Sequence, residues 1–325
     1  MITVNRLGKT FRLPVVRTGR FAALRSLLSR EHRLKEAVRD ISFTIKRGEF
    51  VGYIGPNGAG KSTTIKMLTG ILHPTSGSVE IDGLSPQLHR RRVVGRLGVV
   101  FGQRSQLWWD LPVRDSYDIL AAMYRLEQRA ARLRLGELSE LLGLGEFLDT
   151  PVRKLSLGQR MRADLAAALL HDPDVLFLDE PTIGLDVSAK RSIRSFLHTL
   201  NREKGTTILL TTHDMDDIER LCSRVMVINH GQLGYDGTIA DLRERIGLPT
   251  VARVTFRSGC VVPSGVEAAG LPLTIVERAP GALTLAWNRR ELTALEMLRI
   301  VSAWGEADDV HMEEPAFEDV IHRVY

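Results

Sequence analysis

Two different rhythms of apolar and polar positions run along this chain. Residues 50–54, 97–102 and 175–178 are short, nearly unbroken apolar runs, the pattern of strands buried on both faces. Residues 206–212 read as a further strand, and 224–229 with 232–236 as a hairpin about His230-Gly231. Residues 63–68, 155–170, 188–202 and 216–222 read as helices, and 115–142 as two more. Strands alternating with helices predict an α/β fold around a mainly parallel sheet covered on both faces. Residues 1–13 read as a short strand and turn ending in Thr10-Phe11-Arg12, and 37–46 and 79–83 as strands.

Two stretches depart from this pattern. Residues 14–36 carry Arg17, Arg20, Arg25, Arg30, Arg33 and Lys35 against two acids, Glu31 and the terminal Glu36. Phe21, Leu24, Leu27 and Leu28 recur there at three- and four-residue steps, so the expectation is a basic amphipathic helix. Such a helix either lies on a membrane or partner, or packs on its own domain. Past residue 245 the texture changes. Strands are expected at 250–256, 273–277, 283–287 and 310–312, with a turn at Pro280-Gly281 and helices at 291–304 and 317–324. The expected organisation is one domain over residues 1–245 and a small α+β domain over 246–325.

Composition narrows the class. At 325 residues, with 44% hydrophobic and 26% charged positions, the chain has the make-up of a soluble globular protein of about two domains. No run approaches the ~18 apolar residues that a membrane span needs. Residues 1–6 lack the apolar core of a signal peptide, so the expectation is neither secretion nor membrane insertion. Cys222 and Cys260 have no metal-ligand spacing and suggest no disulfide framework. The net charge of +5 suits nucleic acid or an anionic membrane leaflet, or is a modest excess of solvated arginines.

The candidate chemistry lies between the first apolar run and its helix. Gly55, Pro56, Asn57, Gly58, Ala59, Gly60, Lys61 and Ser62 fit G-x-x-x-x-G-K-[ST], the phosphate-binding loop. Glycines let successive N–H groups turn inward toward phosphate oxygens, and the following helix, from Ser62 and Thr63 on, adds its positive end. Lys61 is expected on the β- and γ-phosphates and Ser62 on Mg²⁺. A second nucleotide signal is the apolar run 175–178 ending in Asp179-Glu180. Acids at that edge of an open α/β sheet stand in its ligand crevice, Asp179 toward Mg²⁺ and Glu180 as general base for water.

With these come Leu155-Ser156-Leu157-Gly158-Gln159, which resembles the LSGGQ signature of the nucleotide-binding subunits of ABC transporters. Gln103 resembles that family's Q-loop glutamine, Gly184-Leu185-Asp186 its D-loop, and Thr212-His213-Asp214 its switch histidine. Phe11 falls where the family stacks an aromatic ring on adenine. The resemblance covers about residues 1–245. It implies a P-loop NTPase fold with an ABC-type helical subdomain. It implies also two cassettes facing head to tail around two ATP molecules, with Ser156, Gly158, Gln159 and Asp186 serving the partner's nucleotide. His213 would hold the γ-phosphate, and Gln103 would sense Mg²⁺ and water. Leu157 departs from the signature's first glycine, which is costly if that position needs positive φ.

Trp108 and Trp109 follow Gln103, in the region that meets the permease in this family. They either anchor that contact, or one ring is core and the other covers a loop. Residues 314–320, Glu-Pro-Ala-Phe-Glu-Asp-Val, resemble the ending of drug-exporter ATPases of the daunorubicin-resistance kind, and residues 101–110 resemble viologen-type exporters. The expected protein is therefore an exporter ATPase at the cytoplasmic face of the cell membrane. Its expected partners are a separate membrane permease and a second ATP-binding subunit, identical or a paralogue, with no nucleic acid. The alternative is a soluble ABC ATPase acting on nucleic acid or ribosomes. Those usually carry tandem cassettes or a long coiled-coil insertion, and neither is visible in the sequence.

Overall fold

Residues 1–14, 32–102, 104–262 and 271–324 are described by the computed structural model. Contacts divide the chain into units Met1–Thr238 and Ile239–Tyr325. The first carries, in order, β1 (Ile2–Pro14), β2 (His32–Ile45), β3 (Phe50–Ile54), α1 (Lys61–Leu68), β4 (Ser76–Ile81), α2 (Arg90–Val94), β5 (Leu97–Phe101), α3 (Val113–Met123), α4 (Gln128–Leu142), α5 (Leu157–Leu169), β6 (Val175–Asp179), α6 (Val187–Lys204), β7 (Thr207–Thr211), α7 (Met215–Leu221), β8 (Arg224–Asn229) and β9 (Gln232–Gly237).

The apolar runs form the middle of a six-stranded sheet ordered β5-β6-β7-β3-β8-β9. Neighbours are parallel except for the antiparallel edge strand β9. β3 and β7 are buried at every position, which is why their sequences do not alternate. A second sheet, ordered β2-β1-β4, is antiparallel. Its inward residues Ile2, Val4, Val38, Ile41, Val79 and Ile81 pack with Tyr53, Ile65 and Phe177 in one core. The sequence marked these strands but did not separate this sheet from the parallel one. Strand patterns carry facing, and pairing partners are set by tertiary contact.

Two expectations near the N-terminus change. Thr10-Phe11-Arg12 is not a turn, because β1 runs on to Pro14 and pairs with β2 as far as Pro14↔His32. Residues 32–36 are strand, not helix. Leu13 and Leu34 are both exposed there, so main-chain pairing with β1 supplies the order, not burial of an apolar stripe. Phe21, Leu24, Leu27 and Leu28 lie outside the described residues. Trp108 and Trp109 are 38% and 53% exposed, so neither ring is core, and the Arg160 guanidinium stands 5.8 Å over the Trp109 ring.

The second unit begins at Ile239, seven residues before the expected boundary, because α8 (Ile239–Ile246) belongs to it. Strands β10 (Thr250–Phe256), β11 (Leu273–Ala279), β12 (Ala282–Trp287) and β13 (Ala307–Glu313) form an antiparallel sheet ordered β11-β12-β10-β13. Helix α9 (Ala294–Ser302), opened by a Thr293–Glu296 capping box, lays Met297 and Val301 into a core with Val254, Leu285 and Trp287. The chain then forms α10 (Phe317–His322). Glu314 pairs with Arg243 at 3.1 Å and Arg289 at 2.9 Å, and Phe317 and Val320 are buried. The Glu-Pro-Ala-Phe-Glu-Asp-Val stretch therefore ties this unit to itself. No helix among the described residues is long and apolar enough to cross a membrane.

One buried acid joins α5 to the segment after β5. Asp164 is 5% exposed, and its Oδ1 accepts from Ser105 Oγ at 2.8 Å and from the Gln106 N–H at 3.1 Å. Burial pushes its carboxyl up from 3.8 to about 6, against the two hydrogen bonds and Arg160. A raised folded-state value gives a stability contribution that is full below the unfolded value and is lost as pH climbs through the folded one. Asp164→Asn keeps the accepting oxygen and stays neutral. It is expected to raise unfolding free energy at pH 7.5 by roughly 1–3 kcal/mol, with the gain vanishing below about pH 4. Denaturant melts at the two pH values measure this, and a pH-independent difference contradicts it.

Candidate nucleotide site

The site assembles at the carboxyl ends of adjacent parallel strands, where an open α/β sheet presents its ligand crevice. After β3 the chain turns through Gly55–Gly60 into α1. Gly60 is the N-cap of α1 with φ +112, and a Cβ there would stand 2.5 Å from the Ala37 carbonyl oxygen, so only glycine fits. Lys61 is the first helical residue and is buried, its Nζ donating to the Gly55 carbonyl at 2.5 Å and the Pro56 carbonyl at 3.2 Å. Burial lowers its pKa, and the charges of Glu180 and Asp179 oppose that shift. Thr64 Oγ1 donates to the Gly60 carbonyl at 3.0 Å and accepts from Tyr53 at 3.2 Å, fixing the first turn.

Two cavities flank this loop. One, of about 360 Å³, is lined by Phe11, Lys35, Asn57, Gly58, Gly60, Lys61, Ser62 and Thr63, with Glu180. Phe11 thus shares a wall with the phosphate loop although 44 residues separate it from Gly55. The other, of about 370 Å³, is lined by Ser62, Lys66, Phe101, Gly102, Arg104, Asp179 and Glu180. Ser62 and Glu180 face both. Lys66 and Arg104 were not singled out in the sequence, where an isolated basic residue carries no signal; only the fold brings their charge to the cavity.

Asp179 closes β6, and its Oδ1 accepts from Thr211 Oγ1 at 2.5 Å. Glu180 follows with φ +57, its N–H bonded to the Thr211 carbonyl at 2.9 Å. His213 Nε2 lies 3.2 Å from Glu180 Oε1. A serine hydroxyl and a carboxylate on one cavity wall are hard oxygen donors, a set that fits Mg²⁺. Gln103 lies outside the described residues, although its neighbours Gly102 and Arg104 line that cavity.

The signature residues are placed elsewhere. Ser156 is the N-cap of α5, accepting from the Gln159 N–H at 3.2 Å while Gln159 Oε1 accepts from the Ser156 N–H at 2.9 Å, a reciprocal capping box. Ser156, Gly158 and Gln159 line neither cavity at the phosphate loop. Leu157 is the first helical residue and is not among those with positive φ, so no glycine is required there. Its side chain reaches Gly184, which has φ +72. Asp186 caps α6, its carboxylate accepting from the Ala189 N–H at 2.8 Å.

A profile described as ABC transporter matches residues 38–183. The ABC transporter ATP-binding protein NatA of Bacillus subtilis is 35% identical over 212 residues, 65% of this chain and 86% of NatA. This chain belongs to the ABC transporter ATP-binding family. The Nod factor export ATP-binding protein I of Burkholderia pseudomallei is 44% identical over 203 residues, 62% of this chain and 66% of that protein. A dimeric structure of the ATP-binding cassette MJ0796, in a post-hydrolysis state with ADP and Pi, superposes with a TM-score of 0.62 at 26% identity, over 73% of this chain and 98% of that one. The cassette is a P-loop ATPase, and Ser62 of the glycine-rich loop, the acidic pair Asp179-Glu180 and His213 meet at one end of the sheet.

Lys61→Ala removes the one ammonium inside the loop. It is expected to weaken ATP binding at least about tenfold, since a charge-assisted contact contributes roughly 1.5–3 kcal/mol. Calorimetric titration checks this, and an unchanged affinity contradicts the assignment.

Proposed function

We propose that this chain is the ATP-hydrolysing subunit of an exporter whose transport pathway belongs to a separate membrane permease. The observation that carries the dimeric part is the separation of two half-sites. The phosphate loop lines the cavities, whereas Ser156, Gly158 and Gln159 line neither of them. The capped N-terminus of α5 suits a γ-phosphate held by a second cassette, because free N–H groups and the helix dipole favour an anion there. MJ0796 is dimeric, which supports that reading. Export, of the drug or antibiotic-resistance type, is supported by relatives named for Nod factor export and for linearmycin resistance. The exposed Trp108 and Trp109 suit contact with the permease at the cytoplasmic face of the membrane.

In the mechanism, loop N–H groups and Lys61 hold the β- and γ-phosphates, and Phe11 offers its ring to adenine. Ser62 and Asp179 would hold Mg²⁺, with Gln103 as a further ligand, and the ion when bound neutralises phosphate charge. Glu180 takes a proton from the attacking water, while His213, 3.2 Å from it, orients that carboxylate and the γ-phosphate. Asp186 faces the partner's nucleotide. Loss of the γ-phosphate removes what joins the two cassettes, so the dimer opens.

Glu180→Gln is expected to retain ATP affinity, to lose steady-state turnover by about 10²-fold or more, and to run as a dimer with ATP in size-exclusion chromatography. An unchanged turnover rate removes Glu180 from the base role. Copurification from native membranes tests the transport assignment: a permease is expected, and RNA or ribosomes without one overturn it. Deleting residues 15–31, the part of the basic stretch between β1 and β2, is expected to reduce flotation with permease-containing membranes while ATP affinity holds. Unaltered flotation removes that stretch from docking.

A further inference from the structure

Glu180 has φ +57, a left-handed conformation that a side chain disfavours and that persists only where its surroundings impose it. On the strand side the restraint is visible, since the Glu180 N–H is bonded to the Thr211 carbonyl at 2.9 Å. On the other side the chain enters buried Pro181 and then Thr182, which is 2% exposed. Thr182 Oγ1 donates to Asp217 Oδ2. Asp217, in α7, is completely buried, and the same oxygen accepts from Thr212 Oγ1 at 3.4 Å. Its other oxygen accepts from Arg194 of α6. Arg194 continues to Asp214 Oδ1 at 3.2 Å, whose other oxygen takes Lys190 at 2.6 Å.

One buried carboxylate oxygen therefore receives two hydroxyls with distinct positions in the chain. Thr182 lies two residues after Glu180, and Thr212 lies immediately before His213. The two side chains they flank meet at 3.2 Å. Neither threonine lines the two cavities at the phosphate loop, but both line a further cavity of about 320 Å³ beside Glu180 and His213, with their hydroxyls turned to Asp217. We propose that Thr182 and Asp217 are positioning residues for ATP hydrolysis, holding Glu180 in its strained conformation and in register with His213. This rests on the reading of Glu180 as the base. Arg194 balances the buried charge of Asp217 and leaves its second oxygen free to bind the hydroxyls, because an unpaired buried carboxylate would be heavily penalised.

Thr182→Val keeps the shape and removes the hydroxyl, while Asp217 keeps Arg194 and Thr212. The expected result is a fall in kcat of about ten- to a hundredfold from misplacement of the base, with KM for ATP, calorimetric affinity and thermal midpoint held. Thr182→Ser, which keeps the hydroxyl, is expected to restore the rate. Asp217→Asn, if it folds, is expected to show the same split, since it weakens the acceptor for both hydroxyls. An unchanged kcat in Thr182→Val overturns the proposal. So does a joint loss of affinity and thermal stability, or a serine variant as slow as the valine one. Glu180→Gln measured alongside separates the two readings. If it still turns over, the base assignment fails and this proposal with it. If it is dead while Thr182→Val is normal, the positioning inference alone is wrong.

Discussion

The nucleotide end of this molecule depends on a shortage of space around its phosphate loop. Gly60 is left-handed and pressed against the Ala37 carbonyl, and the Ala59 carbonyl accepts from the Gly231 N–H at 3.0 Å. Gly231 in turn accepts from the Arg39 N–H at 2.7 Å. The loop is thus stitched to β2 and to the turn between β8 and β9. With those contacts made by main chain, its remaining N–H groups are held in a fixed curl, which is the preorganisation that anion binding requires. The antiparallel sheet, peripheral to the chemistry, is one of the walls that sets it.

Charge follows from the same geometry. Parallel strands of equal length end together, so Asp179 and Glu180 at the end of β6, and His213 just past β7, share an edge with the loop after β3. Burial lowers the pKa of the Lys61 ammonium, and the charges of Glu180 and Asp179 oppose that shift. Burying an unpaired ion would be costly, and the strands bring its counter-ions without any local motif for doing so.

The helical part is held to the core by different means. Asp164 joins α5 to the segment that follows β5, and Tyr117 donates to the Ala163 carbonyl at 3.1 Å, both about two turns from the capped end of α5. The signature serine therefore sits on a helix end that is locked locally by its capping box and farther along by buried hydrogen bonds.

Motifs whose chemistry is local are legible in the amino-acid sequence itself. The phosphate loop needs its glycines and lysine in consecutive positions, and an acidic pair after an apolar strand needs only that strand; both stand where the spacing placed them. The uniformly apolar runs declared buried parallel strands because burial on both faces leaves no polar position. What tertiary structure decided were matters of partner and distance. The stretch 32–36 became strand because β1 offered main-chain pairing, which composition does not encode. Leu157 needs no positive φ because its position is helical. Lys66 and Arg104 entered the cavity wall, and Thr182 met Asp217 across 35 residues, only when the sheet closed. Periodicity reports which face a residue shows, and only the folded chain determines which residue stands opposite it.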